Sequence, residues 1–172
     1  MLFAGVDPGR KGAIAWMNST RTKVEICDVP IRDGDYDVVA MANIVKLIQA
    51  QASDLTPCGL CPGQIVMALE WVHAMPTDGK CSLGELMRCR GIWEGILGAC
   101  GIVPMHADPS VWKRTMLAGL PKGKQTSIDQ ASRIFPAQSE LFYGERGGLK
   151  DGRAEALLLA EYARRKHRLG ER

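Results

Sequence analysis

The chain lacks the features of a membrane or secreted protein. No run among its 172 residues is long and apolar enough for a transmembrane span. The opening Met1-Leu2-Phe3-Ala4-Gly5-Val6-Asp7 enters a strand-like pattern without the basic start and long apolar stretch of a signal peptide, so a cytoplasmic protein is expected. Charge of one sign is scarce too. The 22 basic residues against 19 acidic ones leave a formal net charge of +3, too little to identify a nucleic-acid binder, so any such surface must come from local clustering. There is no Gly-x-x-x-x-Gly-Lys phosphate loop and no convincing arrangement of serine, cysteine and histidine, which speaks against P-loop chemistry and a nucleophilic side chain. No repeat, low-complexity tract or dividing linker is found, and a single domain over residues 1–172 is expected, long enough to bury a core without disulfides. The six cysteines read as reduced thiols, with Cys27, Cys89 and Cys100 among apolar neighbours. Cys58-Gly59-Leu60-Cys61 has the spacing of half a zinc knuckle, but Cys81 and Cys89 are not a matching second pair, and the segment reads as a loop carrying two thiols.

What is present alternates between strand and helix patterns. Leu2–Asp7 and Ala13–Met17 form a hairpin around Pro8-Gly9-Arg10-Lys11-Gly12, and Lys23–Val29 alternates as a third strand. A connection over Pro30–Asp35 leads to a helix over Tyr36–Gln51, and Asp54–Gly63 is a loop before the apolar strand Ile65–Leu69, which ends at Glu70. Ser82, with Glu85 three residues on, is the expected N-cap of a helix running to about Cys100. Gly84, Gly91, Gly95 and Gly98 weaken that helix, and are expected to permit close packing against a strand or a second subunit. A fifth strand is expected over Ile102–His106, then helices over Pro109–Leu117, Thr126–Phe135 and Asp151–Lys166. The pattern predicts an α/β fold, a mixed sheet with helices on its faces.

Four carboxylates stand out. Asp7 ends the first strand and Glu70 the apolar fourth, while Asp151 and Glu155 are four residues apart and so share one face near a helix start. Each has an ordinary reading: Asp before Pro-Gly is turn chemistry, and acids in a first helical turn serve the helix dipole. A charge directly after five apolar residues is harder to dismiss. Convergent carboxylates repel one another until hard divalent cations sit among them, and magnesium is the natural choice. Two such ions can activate a water and steady the leaving oxygen of a phosphodiester.

In order along most of the chain, Gly5-Val6-Asp7-Pro8-Gly9, Ala68-Leu69-Glu70, Val111-Trp112-Lys113-Arg114-Thr115, Lys124-Gln125 and Asp151-Gly152-Arg153-Ala154-Glu155-Ala156-Leu157 closely resemble the RuvC-like Holliday-junction resolvases, the phage-type members in particular. The resemblance implies a ribonuclease-H-like five-stranded mixed sheet with helices on both faces. It also implies a homodimer, two Mg2+ or Mn2+ ions per site, paired nicks in a four-way DNA junction, and a setting in a prokaryotic or phage-infected cell. Its catalytic, metal-holding positions fall on Asp7, Glu70, Asp151 and Glu155, and its basic positions near the scissile phosphate on Lys113 and Lys124. Glu155 stands where the family commonly has Asp, and His73 where it often has an aromatic that wedges at the branch point, leaving Trp71 and His73 both in view. Arg10, Lys11, Arg114 and Lys122 could extend a basic rim for backbone phosphates. The alternatives are another ribonuclease-H-like activity, on a hybrid or flap, and a branched-DNA-binding scaffold without chemistry. The glycine-bearing helix from Ser82 to Cys100 is the expected dimer interface, with Leu86, Trp93 and Leu97 offering apolar area.

Overall fold

A computed structural model describes residues 1–55, 64–71 and 80–170, with the backbone alone at 80–82. His73, Cys58 and Cys61 lie outside the described residues. Strands β1 (Leu2–Asp7), β2 (Ala13–Asn18) and β3 (Val24–Asp28) pair antiparallel as expected. The β1–β2 turn closes around Gly12, where a Cβ would stand 2.0 Å from the Asp7 carbonyl oxygen. The Pro30–Asp35 connection folds as a small ribbon of β4 (Ile31–Arg32) and β5 (Asp35–Tyr36), turning through Asp33 and Gly34 at φ 52° and 78°. Tyr36 therefore belongs to the ribbon, and α1 (Val38–Asp54) starts after Asp37, whose Oδ1 accepts the Ala40 N–H at 3.0 Å.

β6 (Ile65–Glu70) lies parallel to β1, and β7 (Met105–Ala107) parallel to β6, which completes a five-stranded mixed sheet in the order β3-β2-β1-β6-β7. Side chains alternate across it. Val6, Ile14, Trp16 and Leu69 meet α1 and α2 (Lys80–Ala99) on one face. Phe3, Ala15 and Met17 meet α3 (Pro109–Met116), α4 (Lys124–Ile134) and α5 (Asp151–Arg168) on the other. Helices thus cover both faces.

Three expectations need correction. α2 begins at Lys80, so Ser82 lies inside it and is not its cap. The strand expected at Ile102–His106 is displaced to Met105–Ala107. Gly101 takes φ 69° and donates to Gly98 O at 3.0 Å, while Ile102 donates to Leu97 O at 2.9 Å: this is a Schellman closure of α2, and Ile102 is its apolar partner. Finally, a Cβ at Gly84, Gly91, Gly95 or Gly98 would meet nothing within 4 Å, so these glycines do not serve packing on the sheet. Trp93 and Leu97 are fully buried in the protein's own core, with Cys89, and offer no area to a second subunit. A 3-10 helix at Pro136–Phe142, not foreseen, inserts Phe142 into the core beside α5.

Candidate functional site

Parallel pairing of β1 and β6 brings their C-terminal ends to one edge, and with them Asp7 and Glu70. The first turn of α5 rests on the β1–β2 turn: a Cβ at Gly152 would lie 2.3 Å from Lys11 O and 3.0 Å from Asp7 Oδ2. Only glycine allows this approach, which sets Glu155 one turn inward. Asp7, Glu70 and Glu155 each offer an oxygen within 4.8 Å of the others. Asp151 is outside that triple and pairs with Lys124 at 2.9 Å on the rim. Glu155, the residue whose identity departs from the family pattern, therefore belongs to the inner set.

Three donors from α3 and α4 meet these acids. Lys113 Nζ donates to Glu155 Oε1 and Oε2 at 3.0 and 2.9 Å and lies 4.0 Å from Glu70. Trp112 Nε1–H donates to Glu70 Oε1 at 3.0 Å, and Ser127 Oγ to Glu155 Oε1 at 2.9 Å. Burial, then the charges of Glu70 and Glu155, hold the Asp7 carboxyl well above the usual carboxylate range. Burial also raises Glu70, against the pull of Lys113. Burial works against the Lys113 ammonium, but Glu155, Glu70 and Asp7 outweigh it and raise its pKa. Crowded oxygen donors that ionise reluctantly alone are a fitting set for a hard divalent cation.

The basic residues divide into two groups. Lys113, Arg114, Lys122 and Lys124 line a groove of about 840 Å³ that also contains Ser127, Asp151 and Glu155. Lys11 is exposed on the β1–β2 turn. Arg10 points away from the groove, to Glu85 at 3.3 Å and to the Gly34 carbonyl. Trp71 is packed by Arg90, 3.6 Å over its ring, and by His106, with ring centroids 4.1 Å apart. The contacts of Trp112 and Ser127 were missed in the sequence. The buried indole was a usable signal, since its N–H needs a partner, whereas nothing around Ser127 set it apart.

No family model matches the chain. Among solved structures, Thermus thermophilus RuvC superposes with a TM-score of 0.57 at 15% identity, over 99% of this chain and 97% of that one. The same organism's RuvC in complex with a Holliday junction substrate gives 0.56 at 14% identity, over 99% and 96%. The chain therefore has the RuvC fold, a ribonuclease-H-like α/β architecture, as the resemblance implied. In sequence, it is 30% identical over 126 residues to the chloroplastic Holliday junction resolvase MOC1 of Chlamydomonas reinhardtii. The match takes in 73% of this chain and spans 14% of that relative's length.

Proposed function

We propose that the protein is a structure-selective endodeoxyribonuclease that resolves four-way DNA junctions by metal-dependent phosphodiester hydrolysis. The gathering of Asp7, Glu70 and Glu155 within 4.8 Å at one sheet edge of a RuvC fold carries this reading. A relative named as a Holliday junction resolvase and a neighbour solved with a junction support it. Asp7, Glu70 and Glu155 hold the cations, with Asp151 as the fourth ligand from the rim. When bound by these carboxylates, two Mg2+ ions, or Mn2+ in their place, would lower the pKa of a water and offset the charge of the phosphodiester. Lys113 and Lys124 meet the scissile phosphate, where fixed positive charge helps most as negative charge develops. Arg114, Lys122 and Lys11 hold neighbouring backbone phosphates and set register without reading sequence. Trp71, clasped by Arg90 and His106, serves packing, and Arg10 braces the β4–β5 ribbon.

A four-way junction presents two symmetric strands, and we propose a homodimer with one site per subunit. The open glycine face of α2, with exposed Met87, allows close approach of a second copy. The test of substrate class compares a four-way junction, a flap, a duplex and an RNA–DNA hybrid in Mg2+. Preferential junction cutting with paired nicks supports the reading. Preference for the hybrid or flap assigns another ribonuclease-H-like activity, and binding without cleavage assigns a scaffold.

A further inference from the structure

We infer that Trp112 and Ser127 are positioning residues of the metal site, each donating one hydrogen bond to a ligand carboxylate and so fixing which oxygen remains for the cation. The inference rests on the reading of Asp7, Glu70 and Glu155 as cation ligands. A terminal carboxylate torsion is broad and two-fold, so an unrestrained Glu side chain offers either oxygen in many orientations. Glu70 has no such freedom. Its Oε1 accepts the Trp112 indole N–H at 3.0 Å, with Trp112 fully buried and Glu70 only 7% exposed. An indole nitrogen can only donate, so the sense of this bond is fixed.

The helix that carries Trp112 is itself held. Asp108 caps α3 by accepting the Ser110 and Val111 backbone N–H groups at 2.8 and 3.3 Å, and the Trp112 backbone N–H reaches the Asp108 carbonyl at 2.9 Å. Ser127 plays the same part for Glu155 from α4, with its hydroxyl 2.9 Å from Oε1 and the residue 1% exposed. Both donors are neutral. Lys113 touches the same two carboxylates but, being charged, competes with a cation for their oxygens. A neutral donor orients a ligand without that competition, which is the usual work of groups hydrogen-bonded behind a metal ligand.

The test is Mn2+ alone titrated into the full chain by calorimetry, beside metal-free melting curves. Trp112→Phe keeps a buried ring and loses the N–H; Ser127→Ala loses the hydroxyl and Ser127→Thr restores it. Trp112→Phe and Ser127→Ala should each weaken Mn2+ binding by about 10-fold or more, with Ser127→Thr close to wild type. Should Trp112→Phe fail to fold, the Ser127 pair decides. A purely packing role predicts lower melting temperatures with wild-type Mn2+ affinity, and that result in both Trp112→Phe and Ser127→Ala overturns the inference. Wild-type binding that Asp7→Asn abolishes, but that these two variants leave intact, overturns positioning alone. A wild-type protein that binds no Mn2+ overturns the ligand reading as well.

Discussion

Lys113 lies 2.9 Å from Glu155 and 4.0 Å from Glu70, so a cation at these carboxylates must share them with an ammonium already in place. Lys113→Met should therefore tighten Mn2+ binding while slowing junction cleavage, if the same charge meets the phosphate as proposed. The side chain keeps 39% exposure, so solvent screens the pair and its loss should cost metal-free stability only about 1 kcal/mol. Unchanged or weaker Mn2+ affinity by calorimetry would contradict this.

Asp7 gives the opposite sign. Its carboxyl is raised in the folded protein, chiefly by burial, so between the ordinary carboxylate range and the raised value the native state binds a proton more tightly than the unfolded chain. The stability this contributes is full below the ordinary carboxylate range and is lost as pH rises through the raised value. Melting temperature of chelator-treated protein should fall over that window, and Mn2+ should restore it at neutral pH. Asp7→Asn should flatten the slope, leave neutral-pH stability equal or higher, and cut cleavage on the order of 100-fold or more. Asp7 and Glu70 were legible in the sequence because a charge closing an apolar strand is costly without a purpose. Glu155 joins the inner set, whereas Asp151 pairs with Lys124 on the rim. Their spacing places both on one helix face, but which one reaches inward depends on Lys113 and Ser127, which come from α3 and α4.

At the level of elements, α5 is seated on β1 through Gly5, where a Cβ would lie 2.3 Å from Ala156 O and 2.4 Å from Ala160 N. Backbone is the obstacle on both sides, so relief requires moving the helix that carries Asp151 and Glu155. Gly5→Ala should destabilise the protein by roughly 3 kcal/mol, the upper end for overpacking, and should weaken Mn2+ binding because the carboxylates part. A denaturant midpoint equal to wild type would refute that seating. β1, β2, β3, β6, α1 and α5 could be located from their apolar residues, although Val39 and Leu47 of α1 face solvent and α5 is buried on nearly every side from Ala156 to Arg164. The missed features have local causes. The apolar Ile102 closes a helix and does not begin a strand, the β4–β5 ribbon is too short to show a period, and the 3-10 helix is held by Phe142 in a core assembled from distant segments.

For the whole molecule, the groove beside the carboxylates joins Lys113, Arg114, Lys122 and Lys124, concentrating positive charge that the net value of +3 conceals. Junction binding should weaken steeply with salt, as phosphate contacts release counterions. If α2 forms the dimer face, Gly91→Arg should give monomers by light scattering at micromolar concentration, nicking poorly and rarely cutting both strands. A dimer that survives the substitution would place the interface elsewhere. The most direct measurement is single-turnover cleavage of an end-labelled four-way junction in Mg2+, by wild-type protein and by Glu70→Gln at enzyme excess. Wild-type protein is expected to make symmetric paired nicks, while Glu70→Gln binds the junction and leaves it intact. An uncut junction with the wild-type protein, or near wild-type cutting by Glu70→Gln, would contradict a nuclease built on these carboxylates.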